Sequence, residues 1–192
     1  MGHIRIIGGK WRGRSLSVIQ REGLRPTPSR VRETLFNWLA PTIQGARCLD
    51  CFAGSGILGF EALSRGASSL LLLEKAKPQI INLKKTATQL ALHETQLEIK
   101  QVDTLQWLST NKLKVQFDVI FLDPPFEEKL WEPCLTRILN GAFCHNKTLV
   151  YVESPVKPAS FLVQDPWKVV KQKQAGNVKH QLLRLDTEQE MG

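Results

Sequence analysis

Four apolar runs of strand length, each closing on an acidic residue, constrain this chain more than any other feature. Ala46-Arg47-Cys48-Leu49 leads into Asp50 and then Cys51-Phe52, Ser69-Leu70-Leu71-Leu72-Leu73 into Glu74, Leu97-Glu98-Ile99-Lys100-Gln101-Val102 into Asp103, and Phe117-Asp118-Val119-Ile120-Phe121-Leu122 into Asp123. Between them, periodicity predicts helices at 56–66, 77–92, 103–110 and 127–140, and a fifth strand at Thr148-Leu149-Val150-Tyr151-Val152. Strand and helix in alternation imply a parallel sheet with helices on both faces. In such open sheets the ligand crevice lies beyond the carboxyl ends of the strands, so the four acids are expected to converge there. One acid in such a place can be only the N-cap of the next helix. Four at equivalent places point to a cleft.

The first of these strands runs straight into Ala53-Gly54-Ser55-Gly56, and a helical pattern follows with Leu58, Ala62 and Leu63 on one face and Gly66 as its stop. Strand, glycine turn and helix form the geometry of a nucleotide-binding crossover, in which Gly54 and Gly56 leave room for a ligand against the backbone. The turn lacks both the full dinucleotide fingerprint and a Gly-Lys-Ser/Thr phosphate cradle, which argues against a hydride-transfer enzyme or an NTPase. Glu74 lies about 20 residues beyond the turn, where ribose hydroxyls are held in folds of this kind. At the fourth acid the sequence continues Asp123-Pro124-Pro125-Phe126. Two prolines remove backbone donors and restrict φ, leaving a stiff lip of carbonyls with an acid on one side and an aromatic ring on the other. That lip suits a planar amine.

Charge is concentrated at one end. Residues 1–32 hold eight basic residues and one acid, Glu22, a net +7 out of the +8 of the 192-residue chain. Gly8-Gly9 between the alternating Ile4, Ile6, Trp11 and Leu16 reads as the turn of a hairpin. A flexible basic arm with an exposed aromatic, Trp11, is the expected electrostatic footprint on a phosphate backbone. We therefore divide the chain into an N-terminal basic hairpin, 1–24, and a main domain, 25–192. Lys168, Lys171, Lys173, Lys179 and Arg184 form a second basic strip on an expected antiparallel pair, Trp167–Gln174 and Val178–Leu185. Thr27 is expected to cap a helix that carries Val31, Leu35, Trp38 and Leu39 inward and ends at Pro41.

With 42% hydrophobic residues and no apolar run of membrane length, the composition is that of a globular protein. No signal-peptide core is present, so a cytoplasmic, reducing location is expected, with the four cysteines as free thiols. Cys48 and Cys51 form a single CxxC against the glycine turn, and the buried-thiol reading outweighs a metal or redox site. No metal is expected.

Asp50-Cys51-Phe52-Ala53-Gly54-Ser55-Gly56, Glu74, Asp103 and Asp123-Pro124-Pro125-Phe126 resemble the motifs of class I S-adenosylmethionine-dependent methyltransferases, in the branch that methylates planar exocyclic nitrogens. Two N-terminal blocks, Arg5–Arg14 and Arg25–Phe36, are similar to those of the bacterial 16S ribosomal RNA guanine-N2 methyltransferases, and the resemblance runs from about Arg5 to Leu185. It implies a Rossmann-like α/β fold with a seven-stranded mixed sheet and helices on both faces. It implies methyl transfer from S-adenosyl-L-methionine to the N2 of a guanine in a loop of 16S rRNA, on the small ribosomal subunit; a monomer is expected, apart from the resemblance. Asp123, Pro124 and Phe126 would be catalytic. Asp50, Phe52, Gly54, Gly56, Glu74, Asp103 and Thr27 would border the cofactor, and Arg5, Lys10, Trp11, Arg12, Arg14, Arg25 and Arg32 the RNA. Alternatives on the same lip are a DNA adenine-N6 or protein glutamine N-methyltransferase, and a non-catalytic RNA-binding assembly factor that keeps the fold.

Overall fold

The computed structural model describes residues 2–19, 27–111, 115–156 and 163–186. In it the apolar runs become strands of one seven-stranded sheet. β1 (Gly2–Arg5) and β2 (Ser15–Val18) form an antiparallel pair of their own, followed by α1 (Ser29–Ile43). The sheet is built from β3 (Arg47–Asp50), β4 (Ser69–Glu74), β5 (Leu97–Gln101), β6 (Phe117–Leu122), β7 (Cys144–Pro155), β8 (Trp167–Ala175) and β9 (Val178–Leu185). Between them run α2 (Ile57–Ser64), α3 (Lys77–Gln89), α4 (Thr104–Thr110) and α5 (Trp131–Asn140). The order across the sheet is β5-β4-β3-β6-β7-β9-β8, parallel from β5 to β7, with β9 antiparallel to both of its neighbours. The order reverses at β3, so the carboxyl ends of β3 and β6 flank the switch point where such sheets bind ligands.

Strand alternation sorts side chains onto two faces, each with its own core. Cys48, Leu70, Leu72, Phe121 and Tyr151 pack with Phe36 and Leu39 of α1, Phe60 of α2, and Ile80 and Leu83 of α3. Leu49, Leu71, Leu73, Ile120 and Val152 pack on the other face with Trp107 of α4 and Trp131 and Ile138 of α5. The two thiols of the CxxC therefore lie on opposite faces, Cys48 in the first core and Cys51 in the second, and burial pushes both up in pKa. Among the described residues no cluster of His, Cys, Asp or Glu could hold a metal, and no helix is long and apolar enough to cross a membrane.

Three expectations change. The hairpin exists, but its connection is the whole segment 6–14 rather than Gly8-Gly9, closed by Ile6 N to Arg14 O at 3.0 Å and Gly13 N to Ile6 O at 2.8 Å. Gly9 instead serves a close approach. Its φ is +76°, and a Cβ there would lie 1.8 Å from the Ser64 carbonyl. The loop is pinned to the end of α2 by Lys10 N to Ser64 O (2.7 Å), Trp11 N to Ser64 Oγ (2.9 Å) and Ser64 Oγ to Gly8 O (2.6 Å). It is thus no free arm, and Trp11 is 6% exposed, packed with Ile6 and Leu16 in the first core. Finally, Pro41 lies inside α1 rather than ending it, because burial of Ile43 carries the helix two residues further.

Candidate active site

The carboxyl ends of three adjacent strands bring Asp50, Asp123 and Glu153 to one face. Asp50 shares the face of Cys48, Asp123 that of Phe121, and Glu153 that of Tyr151, two residues back in each case. Asp50 is 3% exposed, and its Oδ1 accepts from Phe52 N at 3.3 Å. Burial, reinforced by the nearby Glu74, raises its pKa to about 7. Glu74 is tied to the turn on both oxygens, Oε2 accepting from Gly54 N at 2.9 Å and Oε1 from Ala76 N at 2.7 Å. The spacing of 20 residues between Gly54 and Glu74 thus closes into a direct bond.

The two glycines of the turn do different work. Gly54 has φ +51°, and a Cβ on it would meet nothing nearer than the Phe52 carbonyl at 3.9 Å, so the space above it is open to a ligand. Gly56 also has positive φ, +75°, but its Cβ would strike Phe60 at 2.5 Å and Leu83 at 2.6 Å. It is required by the core beneath the turn. Asp103 is the N-cap of α4, its Oδ1 accepting from Gln106 N at 3.0 Å, and its side of the cleft is exposed. Phe52 is half-buried at the rim.

Asp123 stands at the end of β6 with Pro124 buried and Pro125 exposed behind it. Phe126 begins a 3-10 turn, Phe126–Glu128, and its half-buried ring sits 5.9 Å from that of Trp131 at 44°. Burial, then the acids Glu153 and Asp50, hold the Asp123 carboxyl well above the usual carboxylate range.

Glu153 was not among the sequence candidates. The signal was there: it follows Thr148–Val152 as a fifth acid at a fifth strand end. It is 6% exposed and accepts from Thr27 Oγ1 at 2.7 Å and Tyr151 OH at 2.9 Å. Thr27 accordingly spends its hydroxyl on Glu153, not on capping α1, whose N-cap is Pro28.

The basic residues separate into three groups. Arg25, with Pro26, lies outside the described residues. Arg32 is 0% exposed, bonded to Glu61, Thr27, Arg5 and Ser29, and cannot meet RNA in this arrangement. Trp11 is likewise buried. Arg5, Lys10, Arg12 and Arg14 are exposed, yet the hairpin loop is fixed at the last turn of α2, and Arg14 Nη1 donates to Gln89 O at the end of α3. Both helices run back from the carboxyl edge, so Lys10, Arg12 and Arg14 lie toward the amino edge, away from Asp123.

A sheet of this order, with a glycine turn after its first strand and acids along the carboxyl edge, defines a Rossmann-like class I methyltransferase fold. The chain belongs to the family described as conserved hypothetical protein 95, whose model matches residues 4–184. It is 43% identical over 181 residues to Ribosomal RNA small subunit methyltransferase D of Haemophilus influenzae, covering 94% of this chain and 93% of that one. The protein of the same name from Escherichia coli K12 is 42% identical over 191 residues, 98% and 93% of the two chains. A solved structure from Escherichia coli, provisionally named a methyltransferase, superposes with a TM-score of 0.87 at 39% identity, over 96% of this chain and 99% of its own.

Proposed function

We propose that this protein methylates the exocyclic N2 of a guanine in a loop of 16S rRNA, with S-adenosyl-L-methionine as the methyl donor. The observation that carries the reading is the stiff Asp123-Pro124-Pro125-Phe126 lip, set at the switch point beside an open glycine turn, in a chain that matches rRNA-methyltransferase relatives over more than nine-tenths of their length. The cofactor supplies a methyl group already activated on a sulfonium. The residues present fit it: Gly54 leaves space, Glu74 is fixed by backbone donors so that its remaining lone pairs can accept ribose hydroxyls, and the buried acid Asp50 would offset the positive charge that the cofactor brings. Asp103 would accept from the adenine amine, and Phe52 lies at the rim.

The guanine amine is a weak nucleophile, its lone pair drawn into the ring, so most of the acceleration comes from holding it in line. Ionised Asp123 and the Pro124 carbonyl accept its two hydrogens and stabilise the positive charge that grows on nitrogen during attack. Phe126 stacks on the base, a contact worth about 1–3 kcal/mol. The amine must be unpaired, which favours a loop nucleotide.

Placing Lys10, Arg12 and Arg14 at the far edge has a consequence for the partner. The eight residues of α2 span about 12 Å, so an RNA touching both the lip and the hairpin loop has to reach around the molecule. The test is incubation with methyl-tritiated cofactor and, separately, naked 16S rRNA, unmethylated small subunits and duplex DNA, with modified nucleosides identified by mass. N2-methylguanosine from either RNA sample supports the reading, and label in DNA alone refutes it.

A further inference from the structure

We infer that Glu153 is a positioning residue that keeps the negative charge of a two-acid pair, so that the cofactor-free enzyme holds Asp123 protonated. This deepens the reading above and rests on it for the role of Asp123. Leu122 pairs with Val152 across parallel β6 and β7, which places Asp123 and Glu153 at the same level on neighbouring strands. Their backbones are about 5 Å apart and their side chains share a face. Two carboxylates at one level on neighbouring strands, Glu153 buried and Asp123 half-buried, do not both ionise readily.

The hydrogen bonds break the tie. Glu153 Oε1 accepts from Thr27 Oγ1 at 2.7 Å and Tyr151 OH at 2.9 Å, and Trp131 Nε1 fixes its backbone by donating to its carbonyl at 2.7 Å. Among the described residues nothing donates to the Asp123 carboxyl. Burial raises both carboxyls, but only Glu153 has donors that offset it, and donors to a carboxylate favour its charged form, so the charge settles on Glu153 and the proton on Asp123.

The surroundings do not reverse this. His180 Nδ1 lies 2.8 Å from Tyr151 OH and 3.7 Å from Glu153 Oε2, but burial holds the ring neutral, its pKa lowered to about 4 with Lys173 of β8 adding to the effect. Arg32 of α1 donates from Nε to the Thr27 carbonyl and is committed to Glu61. Asp50 on β3 adds only negative charge. Among the described residues no lysine or arginine pairs with either acid.

A positively charged cofactor beside Asp123 would release this proton to solvent, leaving Asp123 ionised to accept the target amine. The lip is then fit for chemistry only when the methyl donor is in place.

The test is a carbon-13 carboxyl titration of cofactor-free protein, wild type and Glu153→Gln, followed by kcat against pH for both. Gln retains an oxygen for Thr27 and Tyr151 but no charge. The Asp123 carboxyl in the wild type is expected to titrate above the Glu153 carboxyl. Glu153→Gln should lower its midpoint by about one pH unit or more and move the acid limb of kcat the same way. An Asp123 midpoint in the ordinary carboxylate range in the wild type overturns the inference without any variant. So does a midpoint that Glu153→Gln leaves in place. Failure of the wild type to label RNA would count against the proposed function alone, since the titration needs no substrate.

Discussion

Arg32 Nη1 donates to Glu61 Oε2 at 3.1 Å with both side chains fully buried, and this one ion pair joins three elements. Arg32 also reaches the carbonyls of Arg5 and Thr27, while Glu61 accepts from Ile7 N and Arg65 Nε. Breaking this pair leaves the buried Glu61 with Arg65 as its one remaining ion-pair partner among the described residues. Arg32→Ala is expected to cost about 3–5 kcal/mol in urea unfolding. Arg32→Met with Glu61→Leu should recover most of that. A loss under about 1 kcal/mol for Arg32→Ala would show that Arg65 alone satisfies Glu61.

Asp123→Ala should lower kcat by roughly 10²–10³-fold, the usual scale for removing a group that stabilises transition-state charge. Cofactor affinity by calorimetry should hold within a few fold. Near-normal turnover would refute the role given to the lip.

Asp50 keeps its proton in the folded protein up to about pH 7, against 3.8 ordinarily, because it is buried and faces Glu74. Its contribution to stability is therefore full below the ordinary value and is lost as pH rises through about 7. Denaturant midpoints of the cofactor-free protein should fall over that window, and Asp50→Asn should flatten the fall. Cofactor binding at pH 6.5 should release protons, seen as a binding heat that depends on the buffer, and Asp50→Asn should reduce the release.

Gly9→Ala and Gly13→Ala separate strain from collision. Both glycines have positive φ, +76° and +85°, but Ala at 13 meets nothing within 4 Å whereas at 9 it meets the Ser64 carbonyl. Gly13→Ala should cost about 1–2 kcal/mol. Gly9→Ala should cost clearly more and detach the loop, as hydrogen exchange at Lys10 and Trp11 would report.

Reversing charge at Lys10, Arg12 and Arg14 together should weaken binding to assembled subunits and lower its salt slope. Binding of a guanine mononucleotide, too short to span the length of α2, should be unaffected. Equal loss on both would place the hairpin loop nearer the cleft than its bonds to Ser64 allow.

The strands and their terminal acids were legible because strands buried on both faces are almost unbroken apolar runs, and the next residue must meet water or a ligand. Gly54 and Glu74 were readable by spacing, and here they touch. What escaped depends on partners far along the chain. Nothing near Trp11 announces that the end of α2 will cover it, and Arg32 looks like any basic residue until Glu61 is found opposite. Thr27 reads as a cap because its acceptor, Glu153, lies 126 residues away. Gly56 reads as a ligand glycine although Phe60 and Leu83 fill the space where a side chain would go.

The hairpin is made before its anchors and settles late. Its anchors, Ser64 and Gln89, follow Trp11 and Arg14 by 53 and 75 residues. At 5–20 residues per second, Ile6, Trp11 and Leu16 wait roughly 3–15 s without the surface that will cover them. A nascent chain of this protein therefore carries an uncovered, sticky basic hairpin until α2 and α3 have been made, and chaperone capture or a pause in translation there would alter its yield.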